Sequence, residues 1–166
     1  MADLLEVTDQ GRLLTFGVED LLRYHGPGSP AGVALAFKVL QRWLPLPVGG
    51  APERREIAVT TAFRGPGARD GFELVTRAVT EGRYVLDATM ERPDRGWVLE
   101  QFVFRITYRG TARLLLLRPG FVDEEFISLA RAERSPADET RFTALKAATA
   151  KAILACAADE VVEIEP

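Results

Sequence analysis

Apolar positions recur along the chain with two periods, and turn residues cut them into short segments. Residues 4–7 and 12–16 are apolar runs around Asp9-Gln10-Gly11, a spacing that predicts a small hairpin. A helix is predicted over residues 18–25. Glu19 and Asp20 fall in its first turn, where the helix dipole favours negative charge, and Gly26 stops it. Gly26-Pro27-Gly28-Ser29-Pro30 is a run of turn residues. A second helix is predicted over 31–44, with Ser29 as N-cap and Pro30 at the first helical position. Val33, Ala36, Phe37, Leu40, Trp43 and Leu44 fall at helical spacing and give it one apolar face. Pro45 and Pro47 end it.

Residues 49–55 read as a surface loop and 57–63 as a strand rich in Val and Thr. Arg64-Gly65-Pro66-Gly67-Ala68-Arg69 is a second glycine-rich loop. Asp70 is then expected to cap a helix over 71–81, with Phe72, Val75, Ala78 and Val79 inward and Gly82 as the stop. Strands are predicted over 83–88, 97–108 and 111–117, the last two joined by an Arg109-Gly110 turn. In the middle one, Phe102, Phe104, Ile106 and Tyr108 alternate with Val103, Arg105 and Thr107, which makes one face aromatic and buried. Leu114 to Leu117 is apolar on both faces, as in a central strand or one covered by a helix or a partner. Helices are predicted over 122–134 and 136–158, the second opened by Ser135-Pro136, and a final strand at 161–164. No repeat or linker divides the chain. The expectation is one α+β domain over residues 1–166, a mixed or antiparallel sheet with helices packed on one face.

Composition narrows the chemistry. Of 166 residues, 47% are apolar and 27% charged, so the chain is neither a disulfide scaffold nor a long disordered segment. Net charge is −3, and between Arg54 and Arg113 only 11 basic residues face 8 acidic ones, too mild and interspersed for a nucleic-acid groove. Neither nucleic acid nor membrane is expected as a partner. No apolar run approaches a membrane span, and Met1-Ala2-Asp3 lacks the basic start and apolar core of a signal peptide. A cytoplasmic location is expected. Cys156 is the one cysteine and His25 the one histidine, so no disulfide and no ordinary zinc site is available. No metal and no cofactor is expected. Cys156 sits among Ala152, Ile153, Leu154, Ala155 and Ala157 and reads as a packed small hydrophobe.

Two glycine-rich loops each open a helix. A helix start presents unpaired N–H groups and partial positive charge, and glycine lets a ligand approach the backbone. If the loops meet, Gly26, Gly28, Ser29, Arg64, Gly67 and Arg69 would form a small pocket for a carboxylate or phosphate. Arg77 and Arg83 could join that cluster, although Arg77 also stands four residues from Glu73. His25 is the one side chain whose ordinary pKa lies near neutrality, which makes it the candidate general acid or base, with Asp70 or Arg69 as its partner. Each residue also has a plainer reading. The glycines then make turns, His25 caps carbonyls at a helix end, and Asp70 is an N-cap. As an N-cap, Asp70 would also repel an anion, which leaves the Pro30 helix as the better cradle.

Tyr24-His25-Gly26-Pro27-Gly28-Ser29-Pro30-Ala31-Gly32, followed by Val33-Ala34-Leu35-Ala36, resembles the signature of the FmdE-like proteins, a family named after a component of formylmethanofuran dehydrogenase. That signature runs aromatic-His-Gly-His-x-Cys-Pro-Gly and then a small apolar helix. The resemblance continues through the strand at 57–62 into Gly67-Ala68-Arg69-Asp70 and Leu74, Val75 and Thr76. It closes on Phe102-Val103-Phe104 and Leu117-Arg118-Pro119, so it spans residues 17–130. The motif is degenerate. Pro27 stands where the family has its second His, Ser29 or Pro30 where it has Cys, and Gly67 where it has the Cys before Asp70. The zinc ribbon of many members is missing. The resemblance implies the FmdE-like fold, a homodimer, and an accessory role in molybdenum- or tungsten-enzyme or C1 metabolism for a protein that binds a small anion. An enzyme using His25, and a ligand-free structural or regulatory homodimer, are the alternatives.

Overall fold

The computed structural model describes residues 3–166; Met1 and Ala2, which open the stretch read for a signal peptide, lie outside the described residues. The two amino-terminal apolar runs pair as an antiparallel hairpin, β1 (Leu5–Asp9) and β2 (Arg12–Phe16). Its turn residues, Gln10 and Gly11, have φ of 52° and 76°, the doubly positive pattern that matches the twist of paired strands. α1 (Val18–His25) follows, with the Asp20 carboxylate accepting the Gly17 N–H at 2.8 Å.

α2 (Pro30–Trp43) departs from the expected one-faced helix. Residues 31–40 are all buried, because α1 and the later helices α3 (Pro66–Thr76) and α5 (Pro136–Ala155) pack around it. It is the central rod of the molecule, and the sheet closes it from beneath.

That sheet contains β3 (Ile57–Thr61), β4 (Tyr84–Leu86), β5 (Val103–Tyr108), β6 (Thr111–Leu117) and β7 (Val162–Glu165), in the order β4-β3-β5-β6-β7. β3 and β4 run parallel across the α3 crossover, and the other pairs are antiparallel. The fold is therefore α+β with a mixed sheet. Ile57, Val59, Phe104, Ile106, Leu115, Leu117 and Val162 join the helices in one core. On the other face Ala62, Val103 and Leu116 pack against Met90, from a short turn at Ala88–Met90, and no α-helical residue takes part. The run from Leu114 to Leu117 is thus covered on both faces by its own chain, and its burial does not call for a partner. Among the described residues, no helix is long and apolar enough to cross a membrane.

Four boundaries depart most from expectation. α3 begins at Pro66 with Gly65 as N-cap, so Asp70 is the fifth residue of the helix and not its cap. Pro66 supplies the same first-position signature as Pro30 and Pro136. α3 also stops early, at Thr76, with Arg77 in the left-handed region at φ 60°. Its last carbonyls are taken from outside the helix: Arg54 donates to Leu74 and Val75, and Arg83 to Thr76. β5 begins only at Val103, because Pro93, Gly96 and the Arg95 guanidinium, which donates to the Leu99, Phe102 and Leu117 carbonyls, hold residues 93–102 in turns. The last predicted helix is divided into α5 and the four-residue α6 (Ala158–Val161), with Cys156 between them, half-buried against the core. α4 (Glu124–Arg131) is capped by Asp123, whose carboxylate accepts the Phe126 N–H at 2.9 Å.

α2 and α3 cross on glycines. A Cβ on Gly32 would lie 2.9 Å from the Ala68 nitrogen, and one on Gly71 would lie 2.8 Å from the Ala36 Cβ. One on Gly67 would run into the Ser29 carbonyl oxygen. Gly67→Ala ought to gain about 1 kcal/mol from helix propensity alone. Overpacking reverses the sign, and a net loss of about 1–3 kcal/mol is expected from urea denaturation. A variant as stable as the wild type would show that the crossing can open.

The Tyr84 hydroxyl is buried without a hydrogen-bond partner among the described residues. Burial pushes this phenol up from its ordinary 10 to about 12, against a smaller pull downward from Arg69. The unfolded chain ionises first, so the stability present below pH 10 is lost as pH rises toward 12. Ultraviolet titration is expected to show a tyrosine phase near pH 12 that Tyr84→Phe removes at little cost in stability. A phase unchanged in Tyr84→Phe would contradict the assignment.

Candidate functional site

The glycine crossing sets the starts of α2 and α3 side by side, so the two loops do meet. They meet in backbone contact. Gly67 is buried on Ser29 where the two helix starts touch, while Ser29 of the first loop and Arg64 and Gly65 of the second reach the cavity beside that contact.

On one flank the contact places His25 against Asp70. Nδ1 of His25 lies 2.8 Å from Oδ2 of Asp70, with the imidazole 9% exposed and the carboxylate 28%. Arg69, exposed, reaches the other Asp70 oxygen at 3.5 Å. In the neutral ring tautomer that donates from Nδ1 to Asp70, Nε2 is the acceptor. Nε2 is buried and has no partner among the described residues. It lies beside Gly28, where a side chain would come within 3.8 Å of it. Gly26, at φ 85°, turns the chain out of α1. His25 therefore pairs across to α3 and does not cap its own helix.

On the other flank a cavity of about 500 Å³ opens. Ser29, Ala31 and Gly32 from the start of α2 form one side, and Phe63, Arg64, Gly65 and Pro66 from the β3–α3 connection form the next. Phe102 precedes β5. Phe126, Arg131, Arg134, Phe142 and Lys146 come from α4, α5 and the turn between them. Of the residues named from sequence, Ser29 and Arg64 line this cavity. Gly26, Gly28, Gly67, Arg69, His25 and Asp70 do not. Arg77 pairs with Glu73 at 4.0 Å, and Arg83 serves the far end of α3.

Four cations line the cavity and no carboxylate does. Arg131 is 3.4 Å from Glu100, and Arg134 is 2.9 Å from Glu139, both outside the lining. The Lys146 ammonium donates to the Gly28 carbonyl at 2.7 Å. Arg64 has no ion pair or hydrogen bond among the described residues and is exposed. The helix starts add to the sign of the wall. The Ser29 hydroxyl makes no cap hydrogen bond, Gly65 has no side chain to make one, and neither first turn holds an acid. α1, α4 and α5 each carry acids there.

Sequence reasoning missed Arg131, Arg134, Lys146 and the aromatic pair Phe126 and Phe142. The one local signal was the four-residue spacing of Phe142 and Lys146, which sets both on one face of a helix. Among the described residues, no group of three or more His, Cys, Asp or Glu stands together as a metal site. Compared with known proteins, the chain matches no family model and no curated sequence.

The position of Nε2 makes a chemical prediction. His25 is the one histidine, so the ultraviolet absorbance of the carbethoxyimidazole formed by diethyl pyrocarbonate reports on it alone. Acylation is expected to be at least tenfold slower in the native chain than in the urea-unfolded chain. Equal rates would mean that the ring is open to solution.

Proposed function

We propose that the chain is a stand-alone FmdE-like protein of the cytoplasm that binds a small anionic ligand in the cavity beside the paired helix starts. The observation that carries the binding is the sign of the wall: Arg64, Arg131, Arg134 and Lys146 with no carboxylate among them. Cations with low-dielectric walls concentrate an anion, and charged hydrogen bonds hold it more firmly than neutral ones. The accessory role in molybdenum- or tungsten-enzyme or C1 metabolism rests on the resemblance of residues 24–36 and 67–70. The homodimer rests on the same resemblance. The open edge at β4, where Val85 and Leu86 are exposed, is a face on which a second copy could pair.

A second reading, acid–base catalysis, is favoured by one observation, the 2.8 Å approach of Asp70 to the His25 ring. A carboxylate on one imidazole nitrogen orients the other for proton transfer. That reading needs Nε2 to be reached by substrate, so fast acylation of the native chain would favour it.

Calorimetric titration with phosphate, sulfate, acetate and benzoate tests the first reading. Binding is expected in the wild type. Arg64→Gln should weaken it about tenfold, the scale of one charged hydrogen bond. His25→Ala should leave it within about twofold, since His25 lies outside the cavity. Light scattering on the same samples should give twice the chain mass. Absence of anion binding, or binding indifferent to Arg64, would remove the ligand reading, and a stable monomer at micromolar concentration would remove the dimer.

A further inference from the structure

We infer that the cavity is built for an amphipathic organic anion, an acidic head on a flat aromatic body, and not for a bare inorganic ion. The inference rests on the anion-binding reading and adds the ligand class to it.

Size is the first argument. The cavity holds about 500 Å³, within the range that encloses organic ligands of drug size. A water molecule claims roughly 30 Å³ in the liquid, and phosphate only a few times that. A phosphate ion would leave most of the space to solvent.

The wall is the second argument. Two aromatic pairs line the hollow. Phe63 and Phe102, at the strand ends, stack with ring centroids 4.7 Å apart and planes at 29°. Phe126 and Phe142, from α4 and α5, meet edge-on at 5.3 Å and 76°. Phe102 and Phe142 are already buried, but Phe63 and Phe126 are only half-buried. A hydrated inorganic anion gives those two nothing, whereas an aromatic body covers them and can meet them in the offset or edge-on arrangements that such rings prefer.

The distribution of charge is the third. Two of the four cations are already engaged around one ring. The Arg134 guanidinium carbon lies 5.0 Å from the Phe142 centroid, and the Lys146 nitrogen 4.6 Å. They set the sign of the α5 side without being free to close on a head group. Arg64 is not engaged in this way among the described residues. It shares the lining with the Ser29 hydroxyl, which makes no cap bond, and with Ala31 and Gly32 in the uncapped first turn of α2. The head therefore belongs at Arg64 and Ser29 and the body between the phenylalanine pairs.

The test is a panel titrated into the full chain at fixed ionic strength: acetate, phosphate, benzoate, 2-naphthoate and the neutral 2-naphthamide. Affinity is read by calorimetry, and location by the substitutions Arg64→Gln and Phe126→Leu. 2-Naphthoate is expected to bind at least tenfold tighter than acetate and phosphate, and at least tenfold tighter than 2-naphthamide. Arg64→Gln, at an exposed position, should weaken every anion. Phe126→Leu should weaken 2-naphthoate several-fold and leave acetate unchanged. Acetate or phosphate binding as tightly as 2-naphthoate overturns the amphipathic ligand while the anion-binding reading stands. 2-Naphthamide binding as tightly as 2-naphthoate overturns the acidic head and reduces the cavity to an apolar pocket. No binding by any member overturns both readings. 2-Naphthoate binding that ignores both substitutions places the ligand elsewhere and also overturns the inference. Should Phe126→Leu fail to fold, the panel on the wild type and on Arg64→Gln decides alone.

Discussion

A backbone-to-backbone crossing between two helices organises the molecule. Gly32, Gly67 and Gly71 let α2 and α3 approach so closely that a methyl group at any of the three would meet a backbone atom or Ala36. Close approach fixes relative position more sharply than a layer of larger, rotatable side chains would. Both helices begin at the crossing, so their first turns are held in register with each other. The loops before them then separate to two flanks. One carries the His25–Asp70 pair, and the other opens onto the cationic cavity. The two candidate chemistries share a scaffold but not a space.

The far end of α3 shows how the chain holds that helix in place. It ends without a glycine cap. Arg54 and Arg83, from before and after the helix, donate to its last three carbonyls. Arg54 also reaches Asp9 on the amino-terminal hairpin, at 3.4 Å, where Arg55 and, more weakly, Arg54 hold that carboxyl below its ordinary range. The hairpin is thereby tied to the helix that defines the site.

Much of the fold was legible in the sequence because local chemistry agreed with tertiary packing. The doubly positive Arg109-Gly110 turn and the Ser135-Pro136 start with Asp138 are examples, the second confirmed by a reciprocal Ser135–Asp138 cap. Where two local signals compete, the more conspicuous one misleads. Asp70 looks like a cap, yet Pro66 four residues earlier carries the true start, preceded by a glycine that gives no polar cue. Residues 97–102 look like strand by composition, but a guanidinium from Arg95 occupies carbonyls there and keeps the segment in turns. The sequence offers Asp70 or Arg69 beside His25, and the structure sets the His25 ring 2.8 Å from Asp70. The cavity is only partly legible. Arg64 and Ser29 stand beside the glycine loops in the chain, whereas Arg131, Arg134 and Lys146 reach the same hollow only because α4 and α5 fold back over it, which no local pattern encodes.

The enclosure of α2 has a consequence for synthesis. A helix buried over ten consecutive residues has no face suited to water. One of its covers, α5, begins about a hundred residues after it, and the sheet beside it is completed only by β7 near the end of the chain. During translation the central helix must therefore wait with one apolar side open, at a stage when helices and strands already made can hold only part of it. Such an intermediate is prone to stick to its neighbours. The carboxy-terminal third, which looks peripheral in the finished fold, is what converts that exposed rod into an interior, and a chain shortened there would be a holder of unfinished surface.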